Sequence, residues 1–251
     1  MKIISLSSEI AGPACGIATS VKKYFYNNEY QTNFFDYLEI SLYSVLEILS
    51  IHSENIREKL LYKNEVDNDL NIDNDVNINN EVNINNDKIS KNYFVKNDNN
   101  TTVYFKNFNK ILSHHDLPID YNKDDYDNII NKYARRHQRL FDDIKNEDEI
   151  YFIRFGNEDS NIIYNFIEKI KELNPNLKFT FVHLIYDENI TDYIRTNDNK
   201  YICINLYYHI DKNKIYSEDL YFKMIEMDWK FIYDKIYEIV DIKYKESFIF
   251  Y

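Results

Sequence analysis

Two of this chain's three glycines, one of its three prolines and one of its two cysteines fall within Gly12-Pro13-Ala14-Cys15-Gly16. The segment follows the apolar run Ile3-Ile4-Ser5-Leu6 and precedes a helix-like stretch, Ile17 to Phe25. The pattern predicts a strand, a tight turn around one thiol, and a helix from Gly16. A cysteine in such a turn lies near unpaired backbone N–H groups and the positive end of the helix dipole. Both favour the thiolate, which is the nucleophilic form. The plainer alternative is a small buried hydrophobe in a strand-to-helix turn.

A thiol nucleophile needs a base. The histidines are His52, His114, His115, His137, His183 and His209. His137 falls on the apolar face of a helical pattern and is expected in the core, while His183 and His209 sit in or at the ends of strands. His114-His115-Asp116, just before Leu117-Pro118, is expected in a loop, where polar residues more often serve a site. Neighbours in an extended segment point to opposite sides, so Asp116 is a poor orienting group for His115. Asp36, in Phe34-Phe35-Asp36-Tyr37, is the better one, because an acid among aromatics is partly buried and must have a partner. No spacing suits a metal, and none is expected. Gly12–Ser20 is not a phosphate loop: its glycines are four apart and Ile17 stands where the lysine would be.

Charge narrows the partners. A net charge of −12 argues against sequence-independent binding to nucleic acid or to an anionic membrane. The one dense basic cluster, Arg135-Arg136-His137-Gln138-Arg139, lies in a helical pattern and suits a local anionic group. Two cysteines form no disulfide framework, the N-terminal apolar run is too short for a signal peptide, and no stretch approaches a membrane span. A soluble intracellular protein is expected, in the host cytoplasm if the source is viral. The 16% aromatic share, with 24 Tyr and 16 Phe, fits translation of AT-rich DNA and carries no functional weight.

The elements that must position these residues read as α/β. Lys2–Leu6 is a strand, Leu42 to about Leu61 a helix, and Asn92–Lys96 with Thr101–Phe105 a hairpin. Asp124–Ile144 is a long amphipathic helix. The clearest unit is strand Glu149–Phe155, helix Ser160–Leu173 and strand Phe179–Tyr186, which calls for parallel pairing through a crossover. Tyr201–Tyr208 adds a strand and Ser217–Val240 a closing helix. The expected fold is a single domain over residues 1–251: a three-layer α/β sandwich with a mostly parallel sheet, one hairpin and a low-complexity insertion. That insertion, Val66–Ile89, repeats every six residues as VDNDLN, IDNDVN, INNEVN, INNDKI, and is too polar to pack. Ligands of such sheets bind beyond the carboxyl ends of the strands, where the Cys15 turn is expected.

Several pieces, in order, resemble the "putative papain-like cysteine peptidase" family of bacteria and large DNA viruses. Ile3-Ile4-Ser5-Leu6 followed by Cys15-x-x-Ala18-x-x-Val21-Lys22 resembles its strand, cysteine and helix. Asn33-Phe34-Phe35-Asp36-Tyr37-Leu38 is similar to its Pro-Phe-Asp-Trp element, and His115-Asp116-Leu117 to its His-Asp-Phe. Tyr133-Ala134-Arg135-Arg136 through Phe141, then Phe152-Ile153-Arg154, follow its later pattern. Ser7 replaces the family's glycine after Ser-Leu, the cysteine comes later than usual, and Tyr37 replaces a tryptophan. The parallel sheet read here is not the helix-and-barrel arrangement of papain.

The resemblance implies a cysteine-dependent hydrolase with Cys15 as nucleophile, His115 as general base and Asp36 as orienting carboxylate. Backbone N–H groups of the Cys15-Gly16 turn are expected to stabilise an oxyanion. Arg135, Arg136, Arg154 and Asp116 are the candidates to contact substrate, a peptide or an anionic small molecule, and no cofactor is called for. The rival readings are a non-catalytic interaction protein and a nucleotide- or sugar-binding transferase on the same scaffold.

Overall fold

The computed structural model describes residues 2–9, 11–25, 31–60, 93–96, 101–105, 107–117, 122–186, 194–198, 201–208 and 233–234. The Val66–Ile89 repeat, His209 and nearly all of the Ser217–Val240 segment lie outside them.

Beyond its first residue, strand β1 (Lys2–Ser8) is apolar or small and buried, as a central parallel strand must be. On one side it pairs in parallel with β2 (Leu38–Ile40), on the other with β6 (Glu149–Phe155). β7 (Lys178–Tyr186) and β9 (Tyr201–Tyr208) extend the parallel block beyond β6. Antiparallel strands close both flanks. β5 (Ile111–Leu117), β4 (Thr101–Tyr104) and β3 (Tyr93–Lys96) follow β2, and β8 (Ile194–Asp198) follows β9. Among the described residues the order is β3-β4-β5-β2-β1-β6-β7-β9-β8.

Helix α1 (Ala11–Phe25) carries the chain from β1 to β2, and α5 (Ser160–Leu173) carries it from β6 to β7. These crossovers leave the centre in opposite directions, so the shared right-handed rule puts the helices on opposite faces. Burial agrees. Ile4 and Leu6 of β1 join one core with α2 (Leu42–Leu49), α3 (Ile56–Leu60), α4 (Lys123–Asn146) and α5, whereas Ala14, Ile17, Ala18 and Val21 of α1 are buried outside that cluster. The fold is therefore the expected three-layer α/β arrangement.

Local sequence explains each helix. α4 opens on a capping box, Asn122 with Asp125, and buries Ile129, Ile130, Tyr133, His137, Leu140 and Ile144 at helical spacing. α5 is capped by Asp159 and lays Phe166 against Phe152 and Phe181, with ring centroids 5.2 Å away in both pairs. The single helix expected over Leu42–Leu61 is two. Ser50 caps α2, and its hydroxyl donates to the Leu46 carbonyl at 2.8 Å, the local competition by which serine ends helices. The buried Tyr233 hydroxyl lies 2.8 Å from Ser20 Oγ, so that part of the late chain docks on α1.

Three further expectations need correction. α1 begins at Ala11, not Gly16, because Pro13 suits a first helical turn. His114-His115-Asp116 lies on β5, not in a loop. Its pairing with β4 shifts register between Thr101↔Leu117 and Val103↔Ser113, so strict alternation of side chains fails there.

A bulge also marks the end of β1. Three steps from Ser5 to Ser8 face two from Ile153 to Phe155, and Ser7 takes φ 59°. A non-glycine residue there costs about 1–2 kcal/mol. Ser7 recovers part of this, its Oγ donating to the Leu38 carbonyl and its N–H to Ser5 Oγ at 3.1 Å. Ser7→Gly is expected to leave urea unfolding within about 1 kcal/mol of the parent, since relief of strain and loss of a hydrogen bond oppose each other. Ser7→Val, which suffers both losses, is expected to cost at least about 2 kcal/mol.

Candidate active site

Cys15 is a half-buried thiol on the second turn of α1. Because the helix starts at Ala11, the Cys15 and Gly16 N–H groups bond back within it. They are not the open turn donors the sequence suggested, and the helix dipole is weaker this far in. Thr19, one turn on, shares the face of Cys15.

Tyr37 has a backbone φ of 64° and a half-buried ring, and its phenol is within electrostatic reach of Asp36, Cys15 and Arg136. Burial raises the phenol's pKa above the usual 10, against the Thr19 hydrogen bond and with help from Asp36 and Cys15. The hydroxyl stays protonated throughout the neutral range.

Asp36 is fully buried. Its carboxylate accepts from the Asn33 N–H at 2.7 Å and from Asn33 Nδ2 at 2.9 Å, and Asn33 Oδ1 accepts from the Phe35 N–H at 2.8 Å. Phe34 and Phe35 pin the loop from below, Phe34 with its ring 5.4 Å from Tyr133 and 5.9 Å from His137. The β2–β5 ladder ends at Leu38↔Ser113, and the strands are antiparallel. Asp36 and His115 therefore each lie two residues beyond the same pair, in the same direction. The His115 side chain is outside the described residues.

The remaining candidates separate into two groups. Arg135 is exposed on α4, and Arg136 is half-buried with Cζ 5.4 Å from the Tyr133 ring. Arg154 and Asp116, expected to meet substrate, are instead held by the scaffold. Arg154 is fully buried: Nη1 donates to the carbonyls of Leu6 at 2.9 Å and Ile40 at 2.8 Å, and Nε to Glu158 Oε1 at 2.6 Å. It ties together β1, β6 and the end of β2. Asp116 accepts from Ser113 Oγ at 2.6 Å and from Lys132 and Tyr133. Burial raises its pKa, but Lys132 and the three hydrogen bonds outweigh that and hold it below the usual value.

The other histidines are engaged elsewhere. His114 bridges Thr102 at 3.2 Å and Glu39 at 3.0 Å, and Lys110 also pairs with Glu39. His183 Nε2 donates to the Gly156 carbonyl at 2.7 Å, where β6 ends at φ 149°. His52 is exposed, and His137 is in the core as expected. Thr19 and Tyr37 were not singled out beforehand. The i, i+4 spacing from Cys15 carried a signal for Thr19, whereas a left-handed tyrosine has none in sequence.

The fold is a three-layer α/β arrangement that carries a cysteine on the helix following its first parallel strand. The chain belongs to the family described as "Putative papain-like cysteine peptidase (DUF1796)", which it matches over residues 2–189. That span runs from β1 past β7 and includes every site residue named above. No curated protein and no solved structure matches the chain. Among the described residues, no helix is long and apolar enough to cross a membrane.

Proposed function

We propose that this protein is a cysteine-dependent hydrolase of the peptidase type, with Cys15 as nucleophile, His115 as general base and Asp36 as the carboxylate that orients it. The observation that carries the reading is convergence within a peptidase-family chain: Cys15 and Asp36 both bear on the Tyr37 phenol, and Asp36 and His115 leave the β2–β5 ladder at the same step. His115 takes the thiol proton, the thiolate attacks a carbonyl, the scissile bond breaks as the leaving group takes that proton back from His115, and water then hydrolyses the acyl-enzyme. Arg136, half-buried over the Tyr133 ring, and Arg135 on the same helix would receive an anionic part of a peptide or small-molecule substrate. Arg154 and Asp116 would hold the frame around them.

Iodoacetamide tests this. Cys15 is expected to alkylate far faster than Cys203 and to remain reactive at mildly acidic pH, where an ordinary thiol of pKa about 8.5 is protonated. His115→Ala should slow it strongly and Asp36→Asn more weakly, since the carboxylate acts through the histidine. A native Cys15 no faster than Cys203 would remove the reading.

A further inference from the structure

We propose that one side of α4, with Arg57 of α3 beside it, is a docking surface for an extended acidic peptide segment whose carboxylates stand at alternate positions. The surface reaches beyond the two arginines assigned to substrate above, and it stands whether or not Cys15 is a nucleophile. Asn128 to Phe141 holds four cations, Lys132, Arg135, Arg136 and Arg139, and no acidic residue, although Asp and Glu outnumber Lys and Arg by 42 to 30 in the whole chain. At 3.6 residues per turn the four share about 100° of the helix surface. Like charges three and four residues apart destabilise a helix unless an anion relieves them. Among the described residues, Lys132 with Asp116 is the only ion pair that any of the four makes. The tertiary fold adds a fifth cation. Arg57, exposed on α3, donates through Nη1 to Asn131 Oδ1, one turn before Arg135 in the same row.

Packing and hydrogen bonds hold most of these cations in place. Lys132 Nζ and Arg136 Cζ lie 5.1 and 5.4 Å from the centroid of the buried Tyr133 ring. Arg139 Nη2 donates to the Thr32 carbonyl at 2.7 Å. A side chain already fixed by the scaffold loses little further freedom when a ligand arrives. Spacing selects that ligand. Asn131 with its Arg57, then Arg135 and Arg139, follow one another about 6 Å apart along the helix axis. Side chains on one side of an extended peptide recur about every 6.5–7 Å. Carboxylates at alternate positions therefore meet successive steps of the row, and a guanidinium can take each through two parallel hydrogen bonds. A single phosphate covers one step. The row ends after about 12 Å, a short footprint for a nucleic acid, and the net charge of −12 repels long polyanions.

Isothermal titration calorimetry of the full chain tests this, with a blocked peptide of alternating alanine and glutamate that carries three glutamates. The parent is expected to bind it, and raising NaCl from about 50 to about 300 mM to weaken binding severalfold. Arg57→Gln and Arg135→Gln change exposed side chains. Each is expected to weaken binding about threefold with the melting temperature nearly unchanged, and the two together about tenfold. An isomeric peptide with its three glutamates contiguous is expected to bind at least about threefold more weakly, because adjacent side chains of an extended segment point to opposite sides. Absence of binding overturns the proposal, and so does binding that ignores both substitutions. Equal binding of the isomer or of inorganic phosphate would show a general attraction for anions, and tighter binding of single-stranded DNA would show a nucleic-acid surface. Either result overturns it too. Alkylation of Cys15, measured separately, decides the nucleophile reading and leaves this one untouched.

Discussion

Arg154→Leu is expected to cost about 3–5 kcal/mol in urea unfolding at neutral pH, the range for breaking a buried ion pair from one side. The Arg154 side chain is fully buried and that of Glu158 nearly so, with Nη2 2.5 Å from Glu158 Oε1. Removing the guanidinium leaves a carboxylate in a poorly solvated place and takes the donor from the Leu6 and Ile40 carbonyls. Glu158 already has a raised pKa, because burial outweighs the pull of Arg154, so it has little tolerance for losing its partner. Adding Glu158→Leu should recover a good part of the loss, since an apolar pair in place of a buried ion pair is often close to neutral. A loss under about 1 kcal/mol for the single variant would show that water reaches the pair. There is a functional corollary. Arg154 joins the ends of β1 and β2 on either side of α1, so the variant should also slow Cys15 alkylation.

The second large effect is a dependence of stability on pH that originates at His137. The ring is fully buried, its Nε2 lies 3.2 Å from the Ile48 carbonyl, and Phe34 and Phe141 pack around it. Its Nδ1 has no hydrogen-bond partner among the described residues. Burial disfavours the imidazolium, and the Ile48 bond offsets this only in part, so the folded-state pKa falls from 6.5 to about 4. Between those values the unfolded chain binds a proton that the native chain refuses. Stability is therefore unaffected above about pH 6.5 and declines as pH falls towards 4, by about 3 kcal/mol in all. His137→Phe should flatten that slope while costing about 1 kcal/mol at neutral pH for the carbonyl left without its donor. Asp116 and Glu39 act in a separate window. Both pKa values are depressed, so the stability they add is present above their unfolded values and lost only as pH falls further, through their folded ones. The difference between parent and His137→Phe unfolding curves from pH 7 to 5 thus isolates His137, because Glu158, whose pKa is raised, contributes alike to both, and a slope unchanged in His137→Phe would assign the loss to another group.

The elements that came out of the sequence intact share a cause. β6, α5, β7 and β9 matched their expected spans to within a residue because each carries an unbroken period of its own and sharp local punctuation, Asp159 before α5 and Asn174-Pro175 after it. The hairpin of β3 and β4 followed from Asn97-Asp98-Asn99-Asn100 in the same way. Asp36 was legible as a buried acid because aromatic neighbours on both sides leave it no route to water, and its partner Asn33 is three residues away. Even the order of cysteine, Phe-Asp and His-Asp motifs pointed to the family the chain belongs to.

What sequence left open was settled by groups distant along the chain. The concentration of glycine around Cys15 suggested a sharp turn, yet the positive-φ positions among the described residues are the distant Gly156 and two that are not glycine, Ser7, in the β1 bulge, and Tyr37. A backbone outlier at such a residue is imposed by the strands and helices around it and leaves no compositional mark. Arg154 has the type of a substrate ligand, and only the arrival of carbonyls from β1 and β2, with Glu158 alongside, makes it an internal tie. Asp116 and His115 are neighbours in sequence, but the bulge in β5 removes the alternation by which their directions would be read. Local pattern was enough to determine the strand–helix–strand unit of β6, α5 and β7, the hairpin, the family and the presence of a helix at Cys15. The setting of that thiol, with Cys15, Asp36 and Arg136 all bearing electrostatically on Tyr37, was decided by tertiary structure, because charges act through space between residues that no sequence period relates.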